Sequence, residues 1–282
     1  MNQRKSLKEL NLLDKFLFDE AMDDPENVKT MLDIILSQNT NLKHPPQTEK
    51  EQRTSTDNRQ IRLDVYAIDE DDVIYEVEAQ KENTHNLPKR SRLYQGIIDS
   101  KLLPPGVVDF NLLNEVLIVL IMPFDLFGYG LYRYTFQMKC EEVPELKLDD
   151  GATRIFLNTR GKHPELVSPE LIELLKYMEH STDEVSEACE SKRIQEMHRR
   201  VCQIRASEKT EVKYMQSWEE RIMIKQEGIA EGRIEGEKAL LKSLIEKKMA
   251  KKYSAEQISA MLEVDVSEVE NIMKEIQNEK NP

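Results

Sequence analysis

Two stretches within residues 61–80 alternate apolar and polar side chains with period two, the pattern of a pair of half-buried strands. In the first, Ile61, Leu63, Val65 and Ala67 fall on one face, with Arg62, Asp64 and Tyr66 on the other. In the second, Val73, Tyr75, Val77 and Ala79 fall opposite Ile74, Glu76, Glu78 and Gln80. Asp69-Glu70-Asp71-Asp72 between them is a polar turn able to close an antiparallel hairpin. Facing side chains on such a ladder lie about 5 Å apart, which sets Asp64 beside Glu76 or Glu78. A loop with an odd number of residues puts an acid directly opposite Asp64; an even loop puts Val77 there. Carboxylates this close repel unless a cation compensates them, and hard oxygen ligands suit Mg²⁺ or Mn²⁺. The plainer reading is a solvated strand face, in a chain with 53 acidic residues.

The spacing Asp64-x(13)-Glu78-x-Gln80 looks like the catalytic strands of the PD-(D/E)xK nuclease fold. Further motifs follow in order: Asn86-Leu87-Pro88-Lys89-Arg90-Ser91-Arg92-Leu93-Tyr94-Gln95, then Asp109-Phe110, then a strand at 115–122 ending in Pro123-Phe124-Asp125. Tyr132-Arg133-Tyr134-Thr135-Phe136, Cys140-Glu141 and Phe156-Leu157-Asn158-Thr159-Arg160-Gly161-Lys162 complete the series. From about residue 13 to 177 the chain resembles the PD-(D/E)xK nuclease-family transposases, also described as recombination-promoting nucleases.

That resemblance implies an α/β fold: a restriction-endonuclease-like mixed sheet flanked by helices, followed by an all-α C-terminal extension. It also implies a Mg²⁺- or Mn²⁺-dependent DNA endonuclease that hydrolyses phosphodiester bonds in recombination or transposition. By position, Asp64 and Glu78 match the metal carboxylates, helped by the main-chain carbonyl of Ala79; Glu76, on the face of Glu78, is the second choice. Arg90 and Tyr94 match an Arg-x(3)-Tyr pair that contacts or orients the scissile phosphate. Gln80 stands where other branches of the fold carry Lys, and many members of this group also carry Gln. It would orient water by hydrogen bonding, but it supplies no positive charge, so activation of the nucleophile rests mainly on the metal. Many relatives carry Phe-Lys on the opening helix, whereas Phe18 here is followed by Asp19 and Glu20. One of these acids is either an extra carboxylate near the metal or part of an exposed helix face. A competing reading keeps the fold without the cut: a degenerate nuclease acting as a DNA-binding or regulatory interaction protein.

Composition adds limits. With 282 residues and a formal charge of −13, the chain can bury one substantial core but offers no uniformly basic surface to nucleic acid. Over 190–252, 16 Lys and Arg stand against 11 acids while the rest of the chain is strongly acidic, so excess positive charge for DNA lies mostly after the nuclease-like part. Cys140, Cys189 and Cys202 lack CxxC spacing and read as reduced structural thiols, with no zinc site. The five His residues show no metal-ligand or triad spacing. A polar N-terminus reads as no signal peptide, and the longest apolar run, 116–122, is a buried central strand too short to span a bilayer. A cytoplasmic location, bacterial by the resemblance, is expected.

The expected organisation is a nuclease-like domain over 1–183, a charged long helix or linker over 184–250, and a helix-turn-helix-like hairpin over 251–282. Within the first, helices are expected over 12–36 with Pro25 in the first turn of the second, a loop or poor strand over 37–59, and a helix after Pro88. Strands are expected over 132–139 and 153–158, and Ser168-Pro169 caps another helix. Gly228, Gly232 and Gly236 recur every four residues, reading either as a stripe where two helices of a homodimer approach closely or as a broken linker. At the end, Ile258, Met261, Leu262, Val266, Val269 and Ile272 are the expected small core.

Overall fold

The computed structural model describes residues 5–52 and 61–280, so part of the loop expected over 37–59 lies outside the described residues. Six strands form one mixed open sheet: β1 (Gln47–Gln52), β2 (Ile61–Ile68), β3 (Ile74–Ala79), β4 (Val116–Met122), β5 (Arg133–Phe136) and β6 (Ala152–Asn158). Their spatial order is β1-β2-β3-β4-β6-β5. The β2–β3 hairpin is antiparallel, β3–β4 and β4–β6 are parallel, and β1 and β5 form antiparallel edges. The crossover between β3 and β4 carries α3 (Leu87–Asp99), as a parallel pair requires.

β4 is apolar throughout because both of its faces are covered. Val119 and Ile121 join a core with α1 (Lys15–Met22), α2 (Pro25–Leu36), α4 (Pro169–Glu179) and α6 (Lys192–Ala206). Ile118, Leu120 and Met122 join a second core with Tyr94, Ile97 and Ile98 of α3. Local chemistry starts these helices as expected. Asp24 accepts from the Glu26 amide ahead of Pro25, and Ser168 accepts from the Leu171 amide ahead of Pro169.

The chain divides into two compact units, 1–214 and 215–282. The first therefore reaches past the expected boundary at 183. Ile194, Met197 and Val201 of α6 are fully buried in its main core, with α5 (Asp183–Glu187) between α4 and α6 in the chain. A segment rich in charge still has an apolar stripe, and that stripe decides where the helix packs. The 42-residue helix α7 (Glu208–Met249) gives Tyr214 to the first unit and its last turns to the second. Helix is continuous through Gly228, Gly232 and Gly236, so the chain is not broken there.

In the second unit, α8 (Ala255–Leu262) begins with a capping box of Ser254 and Gln257, and Asp265 accepts from the Ser267 amide at the start of α9 (Val266–Lys280). Its core is Ile245, Ile258, Val269, Ile272 and Ile276. Met261 is exposed, and the end of α7 supplies the third wall through Ile245, Leu241 and Met249. Among the described residues no helix is long and apolar enough to cross a membrane.

One glycine is required by close approach. A Cβ on Gly161 would overlap the Tyr132 ring. Gly161→Ala is therefore expected to destabilise the first unit by about 1–3 kcal/mol, the usual cost of overpacking. A denaturant midpoint equal to that of the parent chain would contradict this.

Candidate metal and nuclease site

The hairpin register resolves the open choice about Asp64. Val65 faces Val77, Tyr66 faces Glu76 and Ile68 faces Ile74, so the loop is odd and the next step brings Asp64 level with Glu78. Asp69 sets this loop: its carboxylate accepts from the Asp71 and Val73 amides and from the Tyr75 hydroxyl, while Asp72 turns the chain at a φ of 61°.

On β3 the alternation is regular, with Tyr75, Val77 and Ala79 in one core and Ile74 in the other. Glu76 and Glu78 thus share the α3 side of the sheet. On β2 the expected single apolar face does not hold. Leu63 belongs to the α3-side core and Val65 to the opposite one. Across the ladder, β1 pairs Thr48 with Val65 and Lys50 with Leu63 but leaves out Glu49, whose φ is +48°. The register is the same on either side of the gap, so no residue is inserted and the interruption falls opposite Asp64. Asp64 sits at that turnover.

Two cationic side chains reach the acids from different helices. Lys15 of α1 donates to Asp64 at 2.5 Å and lies 3.1 Å from Asp19. Arg90 of α3 donates through Nη2 to Glu78 at 2.8 Å and to Oε1 of Gln80 at 2.6 Å. Gln80 in turn donates to the Glu82 carbonyl. The Arg90 guanidinium stands 5.8 Å from the centre of the Tyr94 ring, and Tyr94 is buried. Ala79 closes β3 with its side chain in the main core. All the residues expected from sequence therefore meet around the end of β3 and the first half of α3.

The acids nonetheless outnumber their partners. Asp19, Asp64, Glu76 and Glu78 stand against Lys15 and Arg90. Glu76 is 0 % exposed, and neither of its oxygens has a hydrogen-bond partner among the described residues; Glu78 Oε2 has none either. A buried, unpartnered carboxylate is costly when charged. Burial, with Glu78 and Asp64 close by, accordingly pushes the Glu76 carboxyl well above the usual carboxylate range. Burial pushes Glu78 up to about 7, against the opposing Arg90 charge. Burial also pushes Asp19 up to about 7 despite Lys15. For Lys15, burial is outweighed by the Asp64 and Asp19 charges, which hold its ammonium above the ordinary value. An excess of two carboxyl groups, with orphaned oxygens among them, is a donor set that fits one hard divalent cation.

Sequence reading missed two things here. One is Lys15: of the two readings open for Asp19, the one that puts it beside the other acids holds, but Lys15, its neighbour one turn back, was not singled out. The only local signal was that i, i+4 pair, which surface helices carry routinely. The second correction concerns His and Cys. Asp183, His198 and Cys202 converge, with their ligand-type atoms all within 4.8 Å of one another. The His198-x(3)-Cys202 spacing spans one helical turn, but the acid that joins it comes from another helix.

No protein-family model, curated protein or solved structure matches this chain.

Proposed function

We infer that this protein is a metal-dependent DNA endonuclease built on a restriction-endonuclease-like sheet, acting on phosphodiester bonds in recombination or transposition. The observation that carries the reading is the buried carboxylate group around β3, where Glu76 has no partner for either oxygen among the described residues. Asp64 and Glu78, helped by the Ala79 carbonyl, would hold Mg²⁺ or Mn²⁺, with Glu76 behind them. Bound there, the cation would supply Lewis acidity toward a phosphate oxygen and a water of lowered pKa.

The remaining chemistry belongs to side chains. Gln80 uses one lone pair for Arg90 and one amide hydrogen for Glu82, leaving one of each to orient a water. Arg90 fixes Glu78 and Gln80 relative to each other, against the Tyr94 ring. Lys15 brings the positive charge that position 80 lacks. Its side chain is 44 % exposed, so it has access both to Asp64 and to an incoming phosphate.

Supercoiled plasmid is the test. Nicking is expected with Mg²⁺ or Mn²⁺, none with chelator, and a rate about 100-fold lower for Lys15→Gln, as for loss of one charge-stabilising donor. No nicking by well-folded protein across both metals and a range of ionic strengths overturns the enzymatic reading. A second reading then stands, a DNA-binding protein of the same fold. Lys15 and Arg90 favour it, since they already neutralise two of the acids from within. Its mark is salt-sensitive DNA binding that needs no divalent ion.

A double-strand break calls for two such sites, and α7 offers the pairing element. A Cβ on Gly228, Gly232 or Gly236 meets nothing within 4 Å, and Ile224, Ile229 and Ile234 beside them are exposed. A homodimer is expected at tens of micromolar, and replacing all three glycines with Gln is expected to dissociate it while helix content holds or rises. A monomeric parent chain in sedimentation would remove this element from the reading.

A further inference from the structure

Asp183, at the start of α5, and His198 and Cys202, one turn apart on α6, take no part in the carboxylate site. His198 Nε2 lies 2.8 Å from Asp183 Oδ1 and 3.4 Å from Cys202 Sγ, and Sγ lies 3.9 Å from the same Asp183 oxygen. Both partners approach one nitrogen. In a nucleophilic triad the orienting acid takes the ring nitrogen opposite the one facing the nucleophile, so this is not triad geometry. A sulfur, a nitrogen and an oxygen converging on a common point is instead the arrangement of ligands around a cation.

The opposite side of the ring is also fixed. His198 Nδ1 lies 3.0 Å from the hydroxyl of Tyr177, a fully buried residue that packs edge-on against the imidazole at a centroid distance of 5.5 Å. Two tautomers satisfy these contacts. With the proton on Nε2, the ring donates to Asp183 and accepts from Tyr177, giving a closed polar bridge. With the proton on Nδ1, the ring donates to Tyr177, and the Nε2 lone pair faces the Asp183 carboxylate and the Cys202 sulfur. That second state needs a cation between the three, and an outer partner on the far nitrogen is what metal-binding histidines usually have.

We propose that Asp183, His198 and Cys202 form a second metal site, one for a borderline transition cation such as Zn²⁺, with a fourth position open. Thiolate and imidazole select against Mg²⁺ and Mn²⁺, so the site differs in ligand chemistry from the β3 carboxylates. Tetrahedral zinc with bonds of about 2.0–2.3 Å spaces its ligands by roughly 3.3–3.6 Å. The two separations from Sγ lie within about 0.3 Å of that, and the imidazole–carboxylate pair would open by about 0.5 Å from 2.8 Å. His198 is largely buried and held by Tyr177, while Asp183 is exposed and free to adjust. Without a cation, burial and the Asp183 carboxylate push the Cys202 thiol up, so binding would displace its proton. Joining α5 to α6, the ion would tie these two helices of the first unit together.

Co²⁺ titration of the full-length, chelator-stripped protein tests this. The parent chain is expected to develop a near-ultraviolet thiolate-to-cobalt absorption that saturates at one equivalent and is displaced by one equivalent of Zn²⁺. Cys202→Ser, close in shape, is expected to lose that absorption and to bind Zn²⁺ at least tenfold more weakly. Asp64→Ala is expected to keep both. Zn²⁺ should also raise the melting temperature of the parent chain and leave that of Cys202→Ser unchanged. No absorption from the folded parent chain overturns the proposal. So does an absorption that survives in Cys202→Ser, which would assign it to Cys140 or Cys189.

Discussion

Asp64→Ala is expected to lose plasmid nicking by at least 100-fold, while its circular dichroism and melting temperature stay near those of the parent chain. The size follows from removing one of the carboxylates that would hold the cation; removing mere outer partners of a ligand already costs about 10–100-fold. The retained fold follows from what Asp64 touches. Its one strong partner, Lys15, has Asp19 3.1 Å away and Glu49 at 3.9 Å, so no cation is left buried and unpaired. Steady-state nicking rates, read beside the melting curve, check the pair of expectations. Nicking by Asp64→Ala at the parent rate would show that the activity resides elsewhere, or in a contaminant. Asp64→Asn keeps the volume and is expected to be equally inactive.

In chelator, the protein is expected to lose stability as pH rises from about 5 to about 8, by a few degrees or more in melting temperature. Glu78 titrates near 7 in the folded chain against an ordinary 4.5, and Glu76 is raised as well, burial being the main cause for both. The folded state therefore binds more protons than the unfolded state between those values. Stability tied to these groups is fully present below about 4.5 and is lost as pH climbs through the folded values. Asp19, also raised to about 7, adds to the same fall. Mg²⁺ or Mn²⁺ at pH 8 is expected to restore what is lost, because it stabilises the charged forms. Glu76→Gln removes a buried carboxyl that has no hydrogen-bond partner among the described residues, so its pH profile should be flatter than the parent's and its melting temperature at pH 8 higher. Parallel profiles for the two chains would mean that Glu76 does not titrate with folding.

Much of the site was legible because its acids are local. Glu76 and Glu78 are two apart on one strand, and a short hairpin leaves Asp64 few places to go. Period-two alternation, an apolar run for a strand covered on both faces, and Ser-Pro or Asp-Pro caps depend on residues within a turn or a ladder rung. The sequence carries them by itself. It also carries the preponderance of acids over bases near β3, and so the fit to a divalent cation.

What sequence did not carry came from packing between distant segments. The turnover of β2 at Asp64 lies opposite the left-handed Glu49 of a neighbouring strand, a residue no periodicity singles out. Lys15 reaches Asp64 because α1 packs its Leu17 and Phe18 into the core beside Val65. The apolar stripe of α6 draws it into the first unit across the expected boundary, and that docking is what carries His198 and Cys202 to Asp183. Backbone hydrogen bonding fixes which faces a strand or helix has. Burial of apolar area between elements, which has no direction along the chain, decides which side chains then meet.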